Sequence, residues 1–330
     1  MKNTKNIILI VIIALLLVAL LFAAIFFEKK DRAEPVEGSG AAPTYEKNNP
    51  MSQILERDGK KYKFNEKIQT LLFMGIDDLG KVEASEVYTN DGHADFLMLA
   101  IMDTENETYS LLHINRDTMT DVKILGLGGR AAGIAQMQIA VSHAYGSGLE
   151  DSCRNTVDAV AGLLGGVEAD NYLSMTMDGV AALNDELGGI TLTVTDDFYD
   201  VPEFVKGEEI TLTGDLALKY VRGRMQAADG TNINRMQRQR QYMELFIDAL
   251  MYNMQDEDFA MRAFEKVSDY IVTDMSVEKI SALAERISSY EYLGVHTIEG
   301  EAKLGDRYIE FFVDEELLDK QIVELFYIPA

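Results

Sequence analysis

From Ile7 to Phe27 the chain has no charged or strongly polar residue. About 20 apolar residues at 1.5 Å rise each cross a bilayer core, so an uncleaved membrane anchor is expected over residues 7–27, behind a short cytoplasmic stretch at 1–6. A cleavable leader is the rival, but its apolar region is about 7–15 residues and ends at small residues, whereas this run closes on Ile25-Phe26-Phe27. Lysines flank the run on both sides (Lys2 and Lys5 before it, Lys29 and Lys30 after it). The positive-inside rule therefore chooses no orientation, and an inside N-terminus rests on the domain that follows. Residues 28–50 are rich in Pro, Gly, Ser and Asn and poor in large apolar groups; they cannot bury enough surface to order themselves and predict a flexible tether.

Beyond residue 50 the hydrophobic pattern alternates between short runs and helical periods. Leu71 to Ile76 is a buried strand stopped by Asp77-Asp78, and Ala94 to Asp103 is a second. Thr108 to Asn115 follows after Thr104-Glu105-Asn106-Glu107, a pattern that predicts a hairpin. Ala135 to Tyr145 and Asp151 to Leu164 predict helices, the second closed by Gly165-Gly166. Tyr172 to Met177 alternates as a strand, and Asp178 is placed to cap a helix ending at Gly188-Gly189. Ile190 to Val194 and Glu209 to Leu212 alternate again, Thr213 opens a helix over Leu216-Ala217-Leu218, and a long helix is expected from about Asn232 to Met254. The remainder predicts two helices, a strand pair (Tyr292 to Glu299 with Tyr308 to Val313) and a last helix from Asp314. Strands interleaved with helices predict an α/β fold with helices on both faces of a mixed central sheet. The expected division is a domain over 51–255 and a C-terminal extension over 256–330, packed on the sheet or forming a small lobe.

Charge changes this picture. The formal net charge is −25, which argues against nucleic acid and against loose adhesion to anionic lipid; an anionic substrate would have to be caught by a local cluster of cations. One cysteine, Cys153, allows no internal disulfide and too few thiols for a zinc site, and it predicts a small, semi-buried residue. Such a cluster exists: residues 222–240 read RGRMQAADGTNINRMQRQR, five arginines in nineteen positions. Arg235, Arg238 and Gln239 share one side of the expected helix, and Arg222 and Arg224 lie just before it. Arginine presents a planar fork of donors that matches phosphate oxygens; a solvated face neutralised by nearby acids is the alternative. Asp77, Asp78, Asp95 and the pair Arg116-Asp117 fall at the ends of successive expected strands. Hard carboxylate oxygens of this kind suit Mg²⁺, which completes its shell with water and substrate phosphate.

In order along the chain stand Gly75-Ile76-Asp77, His93-Ala94-Asp95, Asn115-Arg116-Asp117-Thr118, Leu187-Gly188-Gly189-Ile190, Ala217 to Arg224, and Arg235-Met236-Gln237-Arg238-Gln239. This ordered set resembles the LytR-CpsA-Psr proteins, cell wall glycopolymer transferases or attenuators, over roughly residues 68–249. The resemblance implies a three-layer α/β/α sandwich outside the membrane with a hydrophobic groove for a polyprenyl chain. It implies Mg²⁺-dependent phosphotransfer of a glycopolymer such as teichoic acid or capsule from a polyprenyl pyrophosphate carrier to peptidoglycan. It puts Asp77 and Asp95 at the metal and Arg116, Arg222, Arg224, Arg235, Arg238 and Gln239 at the pyrophosphate, with Asp95 or Asp117 as the proton acceptor. The chain departs from the family's usual pattern at His93-Ala94, where Arg-Ser is common, at Asn115, where proline is common, at Gln138, where a base is common, and at Asn232, where an acid is common. Two further functions share these residues: a non-catalytic membrane regulator that binds lipid-linked intermediates, and a pyrophosphatase that uses water.

Overall fold

The computed structural model describes residues 54–57, 59–85, 92–126, 129–198, 200–223, 238, 241–242, 245–246, 248–249, 252–253, 256, 259–287, 289–305 and 308–330. The expected anchor and tether, and most of the helix expected over 232–254, lie outside them. Among the described residues no helix is long and apolar enough to cross a membrane. In chain order the strands are β1 (Leu55–Arg57), β2 (Lys60–Phe64), β3 (Ile68–Ile76), β4 (Ala94–Asp103), β5 (Thr108–Ile114), β6 (Met119–Leu125), β7 (Ala131–Gln138), β8 (Asn171–Thr176), β9 (Ile190–Thr193), β10 (Glu209–Leu212), β11 (Ile271–Thr273), β12 (Glu291–Thr297), β13 (Gly300–Leu304), β14 (Ile309–Val313) and β15 (Tyr327–Pro329). The helices are α1 (Glu150–Leu163), α2 (Met177–Glu186), α3 (Gly214–Arg222), α4 (Phe259–Val267), α5 (Val277–Ile287) and α6 (Glu315–Phe326). Six strands follow one another in one sheet, β11-β8-β3-β4-β5-β12. The sheet is mixed: β4 and β5 form an antiparallel hairpin, and β12 runs parallel to β5.

The chain divides into two compact units. One draws its described residues from Met74–Val82 and Ser174–Ser288, the other from Lys30–Phe73, Glu83–Leu173 and Ser289–Ala330. In the second unit, β4 is buried from Ala94 to Met102, as its unbroken apolar run requires of a strand covered on both faces. Burying side chains of this size stabilises by about 1.5–3 kcal/mol each. Asn155 of α1 donates to the carbonyls of Lys123 (2.9 Å), Ser142 (2.8 Å) and Tyr145 (3.1 Å), joining β6 to the end of the segment that follows β7. The helix ends at Gly165 and Gly166, both at positive φ, with the Gly166 N–H donating to the Ala161 carbonyl.

Three expectations change, the third at the start of α2. The helix expected over Ala135 to Tyr145 is instead the end of β7 followed by a 3₁₀ helix over Ile139–Ala144. β6 and β7 pair from Met119↔Gln138 to Leu125↔Ala131. Ala, Met and Gln favour helix locally, but cross-strand pairing overrides that weak preference. At the C-terminus β12 does not pair with β14: it joins β5, and β14 pairs with β13. Gly300 permits this, because a Cβ there would lie 2.3 Å from the Phe312 carbonyl oxygen. The last helix begins at Asp314 as expected, and Asp314 caps α6 by accepting from the Leu317 N–H.

In the first unit α2 begins directly after β8, with Thr176 at the cap position, so Asp178 stands inside the first turn and does not cap it. Arg238, Tyr242 and Phe246 are helical, buried and four residues apart, so they share one inward face.

Candidate functional site

β5 delivers its last residue, Ile114, into the turn Asn115-Arg116-Asp117. Asn115 closes that turn with its own side chain: its Oδ1 accepts from the Asp117 N–H at 3.0 Å, while its carbonyl accepts from Thr118 at 3.0 Å. An asparagine reaching the backbone two residues on is a turn in itself, which explains how the chain manages without proline there. The turn is clamped from the 3₁₀ helix, with Ile139 N–H donating to Thr118 O (2.7 Å) and Ala140 N–H to Arg116 O (3.1 Å).

The clamp aims Arg116 between two carboxylates. Its Nη1 donates to Asp95 Oδ2 at 2.6 Å, and its Nε lies 3.4 Å from Asp117 Oδ1. Asp95, the second residue of β4, has a side chain 0% exposed; Arg116 and Asp117 retain 17% and 14%. Gln138, the last residue of β7, adds a third contact: its Nε2 donates to Asp117 Oδ1 at 3.0 Å and to the Ile309 carbonyl at 2.7 Å. One guanidinium faces two carboxylates in a largely buried cluster, so the charges lie close to opposite partners.

In the first unit Asp77 follows the end of β3 and is half-buried. The loop after it is pinned to the start of α2. Met177 N–H donates to Asp78 O (3.0 Å), Gly80 N–H to Asp178 Oδ2 (2.8 Å) and Thr176 Oγ1 to Gly80 O (2.8 Å). Gly80 sits at φ 83, a conformation glycine alone adopts without strain.

α3 carries Arg222 as its last residue and stops at Gly223. A Cβ at Gly223 would meet Phe198 at 3.0 Å and the Lys219 carbonyl at 3.2 Å. Here the structure gives Arg238 a place different from the expected pyrophosphate contact. It is 1% exposed, and its Nε donates to Tyr220 O at 3.1 Å. Its Nη1 donates to Asp196, its Nη2 to the Gly223 carbonyl, and its guanidinium lies over the Phe198 ring at 5.1 Å. Phe198 stacks on Tyr220 (5.5 Å), whose hydroxyl donates to Gln241 Oε1 (2.8 Å). All three guanidinium nitrogens of Arg238 thus serve the fold where the arginine-rich segment leaves α3. The side chains of Arg222, Arg224, Arg235 and Gln239 lie outside the described residues.

The structure therefore brings Asp95, Arg116 and Asp117 together in one unit and places Asp77 and Arg238 in the other. Among the described residues there is no group of three or more His, Cys, Asp or Glu able to hold a metal. Gln138 and Asn115 stand out in sequence only as departures from a family pattern, and Asp196, Phe198 and Tyr220 carry no motif. Cys153 is wholly buried, with its sulfur 3.9 Å from His143 Nε2. His143 Nδ1 lies 3.0 Å from the Gly92 carbonyl, and burial pushes the ring down to about 4.

Residues 39–326 match the model of the LytR_cpsA_psr family. TagV of Bacillus subtilis (strain 168), named a polyisoprenyl-teichoic acid–peptidoglycan teichoic acid transferase, is 28% identical over 261 residues, 76% of this chain and 59% of that protein. TagU of Halalkalibacterium halodurans, with the same enzyme name, is 30% identical over 206 residues, 61% of this chain and 60% of that protein. The chain spans about three-fifths of the length of these relatives. The crystal structure of B. subtilis TagV superposes with a TM-score of 0.53 at 25% identity, covering 79% of this chain and 96% of that one.

Proposed function

We propose, because this chain belongs to the LytR-CpsA-Psr family, that it transfers a teichoic-acid-type glycopolymer from a polyprenyl pyrophosphate carrier to peptidoglycan. The observation that carries this is Arg116 held between Asp95 and Asp117, a cation fixed among acids in the segment the family model covers. The relatives named for that transfer support it. The anchor expected over residues 7–27 would hold the chain at the membrane surface where a lipid-linked donor lies, with the folded part, as a three-layer sandwich, on the wall side.

Arg116, Arg222, Arg224 and Arg235, with Gln239, would bind the pyrophosphate by charge-assisted hydrogen bonds. Asp77 and Asp95 carry the hard carboxylate oxygens that the family resemblance assigns to the metal, and they would hold Mg²⁺. When bound, Mg²⁺ would neutralise charge on the pyrophosphate. A sugar hydroxyl of peptidoglycan attacks the glycan-linked phosphorus. The bond from that phosphorus to the bridging oxygen breaks, and polyprenyl monophosphate leaves with the oxygen. Fixed arginines then stabilise charge that grows in the transition state. The hydroxyl proton goes to Asp117: it keeps 14% exposure, whereas Asp95 is sealed against Arg116.

The test is product analysis of the full chain in detergent with a lipid-linked glycopolymer and uncrosslinked peptidoglycan. Glycan covalently bound to peptidoglycan, with one polyprenyl monophosphate released per glycan, is the expected result. Free glycan phosphate would make the chain a pyrophosphatase, and an untouched donor would make it a binding protein; either overturns the proposal.

A further inference from the structure

The C-terminal segment carries no recognised motif, yet it reaches the Arg116-Asp117 turn. β13 and β14 form a hairpin. Its second strand bridges to Thr118, and the Phe311 N–H donates to the Asp117 carbonyl at 2.8 Å. On the same strand the Ile309 carbonyl accepts from Gln138 Nε2 at 2.7 Å, and that same nitrogen donates to Asp117 Oδ1 at 3.0 Å. Asp117 is therefore held to the hairpin twice, by its backbone directly and by its carboxylate through Gln138.

Little apolar burial supports the hairpin. Leu304 is 83% exposed, Tyr308 and Ile309 46% each and Phe312 37%. A two-stranded ribbon with an exposed face is marginal by itself, so its polar ties to the turn carry an unusual share of its order. The ties run both ways: the hairpin fixes the carboxylate, and the carboxylate fixes the hairpin. A neutral amide suits this task. It donates both hydrogen bonds that the geometry offers, and it adds no positive charge to stabilise the ionised carboxylate and weaken it as a base.

We propose that Gln138 is a positioning residue that tethers the C-terminal hairpin to Asp117 and so orients that carboxylate for proton transfer. The kinetic part rests on the transferase function proposed above; the tether does not. Two measurements on the full chain separate them. Amide hydrogen exchange reads the tether without any activity, and steady-state transfer, with its pH profile, reads the orientation.

In Gln138→Ala, exchange at residues 309–313 should rise by at least about tenfold while β4 and β5 are unchanged. kcat should fall by about tenfold with the donor KM little altered, the size expected when the one hydrogen bond that orients the carboxylate is lost in the transition state. Gln138→Lys keeps a donor, so hairpin protection should return. Its positive charge should move the acidic limb of the pH–rate profile to lower pH. A simple packing role would move neither protection in the lysine variant nor that limb. Unchanged exchange in Gln138→Ala overturns the tether. Faster exchange with unchanged kcat overturns the positioning role. A wild-type chain that transfers nothing overturns the transferase function and the kinetic part with it, while the exchange result still decides the tether.

Discussion

Replacing Arg238 with methionine tests whether the last arginines of the cluster share one task or divide into ligand-binding and structural residues. The side chain is 2% exposed and donates to Asp196, Tyr220 O and Gly223 O while covering Phe198. Methionine fills much of the volume but removes the donor that Arg238 gives to the Asp196 carboxylate, 14% exposed, and to two carbonyls. Removing one partner of a buried ion pair costs about 3–5 kcal/mol, because the other charge stays desolvated, and loss of the contact with the ring adds about 0.5–2 kcal/mol. At about 2–4 °C per kcal/mol for a folded part of this size, the melting temperature should drop by roughly 7–28 °C. The double variant Arg238→Met with Asp196→Leu removes both charges together and should regain at least about 1 kcal/mol. Thermal unfolding of the full chain in detergent, followed by circular dichroism, measures both. If Arg238→Met melts within about 2 °C of the wild type, below 1 kcal/mol on the same scale, the knot is not structural, and Arg238 returns to the expected set of phosphate ligands.

Other outcomes follow from the same structure. Arg222→Lys and Arg224→Lys keep the charge but lose the planar fork, so each should lower kcat/KM by at least about tenfold with thermal stability nearly unchanged; wild-type kinetics in both would make the cluster a solvated face. Asp77→Ala and Asp95→Ala should each abolish Mg²⁺-dependent turnover, and unchanged turnover at saturating Mg²⁺ removes that residue from the metal site. His143 sits near 4 when folded and near 6.5 when unfolded. The unfolded chain therefore binds more protons between these values, and stability should fall as pH drops from about 6.5 to about 4. Denaturant titrations across that window should show a smaller loss in His143→Gln, by about 3 kcal/mol at most; an identical loss would mean the ring charges freely in the folded state.

Much of this was legible in the chain itself, for reasons that separate cleanly. β3 from Leu71 and β4 from Phe96 carry continuous apolar runs, and their burial follows from composition alone. The carboxylates and Arg116 fall just beyond or at the edges of the expected strands, so the grouping of Asp95, Arg116 and Asp117 could be anticipated from spacing. Ala135–Tyr145 defeated the same logic, because alanine, methionine and glutamine favour a helix until β6 supplies a partner. The choice of β5 as neighbour for β12, across more than 170 positions of chain, is a long-range pairing with no local signal. Arg238 looked like its neighbours in sequence. Only the convergence of Asp196, Phe198, Tyr220 and Gly223 around it, from a separate loop and a helix end, marks it as a structural residue. Gln138 likewise acquires a role only when the hairpin's backbone arrives beside it.

The central claim is that the Arg116 turn carries the transfer chemistry, with Asp117 taking the proton. Single-turnover transfer by Asp117→Asn, started from enzyme preloaded with lipid-linked glycopolymer, tests it most directly. Asparagine keeps the acceptor oxygen that meets Gln138 and Arg116 but cannot take up the proton. Glycan–peptidoglycan formation should be slower by at least about 10²-fold, the scale of a lost general base, with the affinity for the lipid-linked donor unchanged. Transfer at the wild-type rate would contradict it.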